Sequence, residues 1–318
     1  MYSSIHRGAA FDRRLRAFIE ENYPIQPTAL TPAARGYYGE TWRVESPQGR
    51  FFPKLDCSPH RGVYERSFPV IEHLCNHGID FISRIVKTRD GKLHASFEGG
   101  VLGLFDWIAG ENREDDSTEP ILYNLLAKIY AVPARELDIP REDFSARAAD
   151  VFFDQWARVE DGAILALLEG ERARIEFNAR LLRYFSEICA GDNAGFVITH
   201  GDAGGNVLFD GDTARIVDWD DPRLTPPERD AWFCMSKPPL MEAFHRALRQ
   251  NGIAYTLRPE RLAYYYYHMW MFYLTEILGE YFTLGNRDGA VSAYLSDYLE
   301  GWMNDNSAFA RGIHDETH

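Results

Sequence analysis

The chain has 318 residues, 45% of them hydrophobic and 26% charged, and a net charge of −14 at pH 7. That is the profile of a globular protein long enough to build two lobes. The acidic excess excludes a protein that binds nucleic acid through its backbone, because such affinity comes from lysine and arginine neutralising phosphates. Acidity serves solubility, and it would also steer cationic ligands toward a cleft.

The 4 cysteines (Cys57, Cys75, Cys189 and Cys234) lie far apart with no CxxC pair. This suits a reducing compartment better than a disulfide framework or a zinc ribbon. Residues 1–18 lack the apolar stretch of a signal peptide, and no apolar run elsewhere reaches bilayer length. A soluble, cytoplasmic protein with no membrane partner is expected.

In chain order, residues 11–23 have helical periodicity, with Phe11, Leu15, Phe18 and Ile19 on one side. Strands are expected at 37–44 and 50–55, joined through Ser46-Pro47-Gln48-Gly49, whose proline and glycine punctuate a hairpin. Residues 63–75 read as a helix, kinked at Pro69 and stopped near Gly78. Strands at 81–87, 93–97 and 101–105 complete an antiparallel set, with Asp90-Gly91 as a hairpin turn. The polar stretch 111–119 connects to a helical region with helices expected at 120–130, 146–168, 172–189, 241–251, 259–281 and 290–303. One β-island interrupts it: 196–199, then a glycine-rich loop, then 207–209 and 214–217 around the turn Asp210-Gly211-Asp212.

The chemistry concentrates in that island. His200-Gly201-Asp202-Ala203-Gly204-Gly205-Asn206 precedes the hairpin, and Asp218-Trp219-Asp220 follows it. Phosphoryl transfer asks for a carboxylate beside the attacking hydroxyl, oxygen ligands for Mg²⁺, and a cation on the nucleotide phosphates. Asp218 ends an apolar strand (Ala214, Ile216, Val217), where a carboxylate needs a charge partner; two turn aspartates would be the plain alternative for Asp202 and Asp218. Asn206 reads either as a metal ligand or as the start of the next strand. Phe51-Phe52-Pro53-Lys54-Leu55 is an apolar strand with one lysine, and Pro53 suggests a bulge or an edge there. Gly36-Tyr37-Tyr38-Gly39 is either an ordinary hairpin turn or a phosphate-facing loop. The chain has no Walker GxxxxGK[ST], no GxGxxG after a strand and no GxSxG elbow. His73 and His77 lack the glutamate of a zinc-protease motif and read as a surface or packed pair.

His-Gly-Asp with a downstream asparagine, a hairpin and Ile216-Val217-Asp218-Trp219 resembles the aminoglycoside phosphotransferase/choline kinase family, relatives of protein kinases. Residues 216–230, together with Tyr64-Glu65 and His77-Gly78-Ile79, are similar to its spectinomycin phosphotransferase branch. The resemblance implies an α+β, bilobal protein-kinase-like fold with a small antiparallel-sheet N-lobe and a mostly helical C-lobe. In that scheme residues 1–105 are the nucleotide-binding lobe, 106–119 the hinge and linker, and 120–318 the helical lobe. It implies ATP and Mg²⁺ as cofactors, Asp202 as catalytic base, Asn206 and Asp218 as metal ligands, and His200 and Asp230 as scaffold of the catalytic loop. Lys54, oriented by Glu65, would hold the nucleotide phosphates beneath Gly36 and Gly39, and the backbone of Asp106 and Ile108 would bind adenine. The step from Asp202 to Asn206 is one residue shorter than the commoner family spacing.

The implied activity is transfer of the γ-phosphate to a hydroxyl of a small, cationic acceptor such as spectinomycin or a related aminocyclitol. A kinase of another hydroxylated metabolite (an amino alcohol or sugar) and a catalytically dead nucleotide-binding module are the alternatives. Asp220, Asp221, Glu228, Trp232, Tyr264 to Tyr267, His268, Trp270 and Glu276 are acceptor-site candidates by composition, with one or two of the aromatics expected to touch substrate.

Overall fold

The computed structural model of the chain describes residues 7–33, 39–56, 62–113, 117–135, 137–301 and 304–316. Contacts divide it into two compact units, Met1–Pro140 with Val197–Leu224, and Arg141–Phe196 with Thr225–His318.

The first unit opens with α1 (Ala9–Asn22), β1 (Ala29–Pro32), β2 (Glu40–Ser46), β3 (Gly49–Asp56), α2 (Gly62–Asn76), β4 (Ala95–Phe97) and β5 (Gly100–Asp106). The strands form one antiparallel sheet in the order β1-β2-β3-β5-β4. Period-2 alternation decides its two faces. Trp42, Val44, Phe51, Leu55, Leu102 and Leu104 pack in one core with Phe11, Leu15, Ile19 and Tyr23 of the α1 side, each large side chain contributing about 1.5–3 kcal/mol by burial. Thr41, Phe52, Lys54 and Phe105 are out of step with that set and face the opposite way, so the only lysine in β3 is carried to the face that lines a cavity. On this second face, Gly103 leaves room for α2: a Cβ there would lie 2.5 Å from the Phe68 ring.

Pro53 does not mark an edge, because β3 is central and Pro53 pairs with Leu104 of β5. The ladder to β2 is instead interrupted between Thr41↔Lys54 and Val44↔Phe51, opposite Pro53, whose nitrogen carries no hydrogen. α2 runs on as helix through Pro69. The strand expected at 81–87 is an extended segment with two isolated bridges, Ile82 to Ile216 and Ile85 to Phe105. The Asp90-Gly91 turn is present, closed by the Gly91 N–H on Thr88 O at 2.9 Å.

The same unit continues with β6 (Glu111–Asn112) and α3 (Glu119–Tyr130), and takes in the β-island: β7 (Val197–Thr199), β8 (Val207–Asp210), β9 (Thr213–Ile216) and β10 (Arg223–Thr225). β6, inside the stretch read as a linker, pairs with β8 in a three-stranded β6-β8-β9 sheet, and β7 pairs with β10.

The second unit is helical: α4 (Arg147–Trp156), α5 (Gly162–Gly170), α6 (Arg172–Cys189), α7 (Glu228–Ala231), α8 (Pro238–Gln250), α9 (Pro259–Leu284), α10 (Ala290–Glu300) and α11 (Asn304–Glu316). The single helix expected at 146–168 is two, because the Asp161 side chain accepts from the N–H groups of Ala163 and Ile164 and starts a new helix. α9 is the hub, packed by α4, α6, α7, α10 and α11. Among the described residues no helix is long and apolar enough to cross a membrane.

Candidate active site

Lys54 is 5% exposed and its ammonium is held by two carboxylates. Nζ lies 2.5 Å from Asp218 Oδ1 and 2.6 Å from each oxygen of Asp220. Its third neighbour is the Tyr64 ring, whose centroid is 5.1 Å away. Burial alone would lower the lysine's pKa, but Asp220 and Asp218 outweigh it and the net shift is upward. Glu65, expected to orient Lys54, is exposed on α2, so the ion pair is made with the two aspartates instead. The two carboxyls are driven apart. Burial raises Asp220 to about 6, with Asp218 adding to the rise and Lys54 opposing it. At Asp218 burial also pushes upward, but the Lys54 ammonium prevails and the carboxyl is held below its ordinary value.

These carboxylates reach Lys54 because the chain leaves β9 by a left-handed step. Asp218 has φ 62°, outside the usual range for a residue with a Cβ but tolerated by aspartate. The N–H of Asp220 then donates to Asp218 O at 2.9 Å and closes a tight turn. Trp219, 3% exposed between them, packs edge-on against His200 with centroids 4.6 Å apart.

The loop 200–206 is tied to this turn by His200. Its Nε2 lies 2.8 Å from Val217 O, and its Nδ1 accepts from the Asp202 N–H at 3.2 Å. Both bonds together require the neutral tautomer protonated at Nε2. Asp202 itself is exposed. The Asn206 amide nitrogen donates to Asp202 O at 2.7 Å and toward Asp202 Oδ2 at 3.3 Å, which leaves Asn206 Oδ1 as an acceptor. The Asn206 carbonyl meanwhile accepts from Val217 N–H at 2.9 Å, so the shortened loop both starts β8 and aims its side chain back. Asn112 of β6, whose part was not foreseen, donates from Nδ2 to Gly205 O at 2.5 Å and braces the loop.

Lys54, Asn206, Asp218 and Asp220 all line one cavity of about 460 Å³. Its other walls are largely apolar, with Phe52, Phe105 and Trp107 on the sheet side and Leu208 and Val217 on the ribbon side. The shape suits a flat heteroaromatic group with a charged tail directed at Lys54. Asp106 and Ile108 also line it. The two differ in capacity: Asp106 donates its N–H to Arg84 O at 2.9 Å and accepts from the Ser83 hydroxyl at 2.8 Å, whereas the Ile108 backbone has no hydrogen-bond partner among the described residues. Gly39 has no room for a Cβ, which would sit 2.5 Å from Tyr64 Oη; Gly36 lies outside the described residues.

The oxygens present fit a hard divalent cation: the Asp218 carboxylate and Asn206 Oδ1 are the kind Mg²⁺ prefers. Among the described residues no set of three or more His, Cys, Asp or Glu groups could hold a metal alone. The protein thus offers a partial set, as is usual where phosphates complete the coordination of Mg²⁺.

Several acceptor candidates are excluded by burial. Tyr264, Tyr265, Tyr266 and Tyr267 are each at most 1% exposed. Tyr264 Oη donates to Ser145 O at 3.0 Å and Tyr265 Oη to Glu142 at 2.8 Å, so these tyrosines serve the helical core and not a substrate. Trp232 and Trp270 are buried as well. Glu228 is buried and accepts from Tyr255 Oη at 2.9 Å and from the Arg258 N–H at 2.6 Å. Asp230 is buried on α7. Asp221 pairs with Arg223 at 2.9 Å. His268 and Glu276 remain half-buried on α9. The His73 and His77 rings lie tilted to each other with centroids 4.1 Å apart, His73 half-buried on α2 and His77 exposed just past its end.

The chain matches the phosphotransferase enzyme family over residues 29–265, a span that includes every residue of the cavity. No curated protein matches it in sequence. Solved structures match it in fold. Spectinomycin phosphotransferase APH(9)-Ia, solved with ADP and spectinomycin, is 18% identical with a TM-score of 0.77, over 94% of this chain and 97% of its own. The microcompartment-associated aminopropanol kinase is 15% identical with a TM-score of 0.66, over 96% and 98%. The aminoglycoside phosphotransferase of Alicyclobacillus acidocaldarius is 14% identical with a TM-score of 0.63, over 94% and 94%. A small antiparallel sheet followed by a mostly helical remainder is thus the kinase-like α+β fold that these enzymes share. The chain belongs to the phosphotransferase enzyme family and is a small-molecule kinase that acts on hydroxyl groups.

Proposed function

We propose that the chain transfers the γ-phosphate of ATP to a hydroxyl of a small cationic molecule, with spectinomycin or a related aminocyclitol as the first acceptor to test. The observation that carries the reading is the convergence of Lys54, Asn206 and Asp218 on one apolar-walled cavity. In this reading the purine lies against Phe52, Trp107 and Leu208 and meets the backbone of Ile108. Lys54 holds the phosphates, while Asp218 and Asn206 hold Mg²⁺, which neutralises charge on the transferred group. Asp202 accepts the proton of the acceptor hydroxyl as its oxygen bonds to the γ-phosphorus and the bond to the ADP oxygen breaks. Residues 1–105 then act as the nucleotide lobe, 106–119 as the hinge and 120–318 as the lobe carrying the acceptor, in a cytoplasmic enzyme. The neighbour solved with ADP and spectinomycin and the acidity of the chain support this acceptor class.

The test is a coupled ADP-release assay across aminoglycosides, aminocyclitols, macrolides, choline and amino alcohols, with and without Mg²⁺. Release with spectinomycin, and resistance of a host expressing the gene, is the expected result. Release with an amino alcohol alone would move the enzyme to metabolite chemistry, and no release with any acceptor would end the reading.

A further inference from the structure

The geometry assigns to Asp220 the positioning of Lys54, a task that the family resemblance places on the helix glutamate Glu65. The inference rests on the reading above, in which Lys54 holds the nucleotide phosphates. Three observations carry it. Glu65 is exposed on α2, and the buried residue at that turn is Tyr64, whose ring faces Nζ at 5.1 Å. Asp220 offers Lys54 both oxygens at 2.6 Å, whereas Asp218 offers one at 2.5 Å. The Asp220 side chain is also the better shielded, 13% exposed against 36% for Asp218, so its pairing is weakened less by water.

The consequence appears when a divalent cation takes the Asp218 carboxylate. Cation and ammonium then compete for the same oxygens, and two positive charges at one carboxylate repel. Asp220 is the carboxylate left to Lys54, and it keeps the amine aimed along the cavity instead of swinging away. Its position is fixed from both sides, by the turn closed on Asp218 O and by the buried Trp219 that precedes it. The lysine is thus oriented from the ribbon that carries the metal ligands, and α2 contributes an aromatic wall.

Asp220→Asn and Glu65→Gln, prepared side by side, test this. The first readout uses metal-free, nucleotide-free protein: the rate at which Lys54 is reductively methylated, followed by peptide mass spectrometry. Loss of the carboxylate that grips the ammonium with both oxygens frees the amine from its fixed place and lets it reach the reagent. Asp220→Asn is expected to speed methylation of Lys54 severalfold to tenfold, and Glu65→Gln to leave it unchanged. The second is steady-state kinetics at saturating Mg²⁺, where Asp220→Asn is expected to raise KM for ATP roughly tenfold, with a smaller fall in kcat. Asp220→Glu, which returns a carboxylate, is expected to restore protection of Lys54. Unchanged methylation in Asp220→Asn, a gain in Glu65→Gln, or an effect confined to the Mg²⁺ requirement would each overturn the assignment. Failure of the functional reading is separable: Lys54→Ala with normal turnover removes the lysine's role, while the methylation result still reports on the ion pair.

Discussion

His200 bridges two segments that are far apart in the chain: its Nε2 donates to Val217 O at 2.8 Å, and its Nδ1 accepts from the Asp202 N–H at 3.2 Å. One neutral imidazole thereby sets the distance between the catalytic loop and the strand end that presents Asp218. His200 is 2% exposed, so its removal leaves the Val217 carbonyl and the Asp202 N–H without their partner. His200→Ala is expected to cost about 1–3 kcal/mol for the orphaned groups and the lost packing on Trp219. Turnover should fall by more than the change in KM for ATP, because the loop, and not the nucleotide pocket, loses its tether. Urea unfolding with steady-state kinetics decides; a variant of wild-type stability and turnover would show the bridge to be idle.

Asp202 stands exposed on its loop, and a neutral replacement costs the fold little. Asp202→Asn keeps an oxygen for the Asn206 amide, whose bond to Asp202 Oδ2 is a long 3.3 Å. In the proposed function it removes the proton acceptor, so kcat should drop by about 10²–10⁴. ATP affinity should hold, since Lys54, Asn206 and Asp218 are untouched. The check is kcat against KM for ATP, with a thermal melt to verify folding.

Gly110 crosses close over the strand that follows the catalytic loop. Its φ is +136°, and a Cβ would meet Phe209 O at 2.8 Å and Phe209 C at 2.9 Å. These are backbone atoms, which cannot rotate out of the way. Gly110→Ala is therefore expected to destabilise by about 1–3 kcal/mol and to weaken nucleotide binding by displacing the hinge wall of the cavity. Isothermal titration with ADP measures the second effect; unaltered affinity would mean that the hinge accommodates the extra carbon.

How much of this was readable beforehand depended on how local each signal is. The strand 50–55 declared itself as an apolar run after the turn at Pro47 and Gly49, and the pleat of that strand turns Lys54 away from the α1 core. The loop 200–206 is a contiguous motif, so its residues could be singled out as candidates without coordinates. The partner of Lys54 could not, because Asp220 reaches it only through the left-handed step at Asp218, and φ is not written in residue types. The fate of Tyr264 to Tyr267 was hidden for another reason: four consecutive aromatics cover every side of a helix, and only the packing of neighbours around α9 shows that all sides are buried. The break between α4 and α5 carried a visible signal in Asp161-Gly162, an N-cap followed by a weak helix former. The apolar run 81–87 read as a strand, yet only Ile82 and Ile85 make bridges.

Glu228, grouped by composition with the acceptor site, gives a pH prediction about the second unit. Its carboxylate accepts from Tyr255 Oη and from the Arg258 N–H, and Tyr255 in turn accepts from Arg261 at 2.7 Å. Burial raises the Glu228 pKa above the ordinary glutamate value, and the Arg258 and Tyr255 donors only partly offset this. The folded protein therefore holds this proton more tightly than the unfolded chain does. The stability it contributes is complete below the unfolded pKa and is lost as pH rises through the folded one. At neutral pH the ionised side chain is a cost, and Glu228→Gln removes that charge while keeping an acceptor oxygen for both donors. The variant's unfolding free energy, relative to wild type, should thus improve between about pH 4 and about pH 7. Urea unfolding of both proteins at the two values measures the difference; a constant or worsening gap would mean that Arg261 and the two donors stabilise the charged form more than burial penalises it.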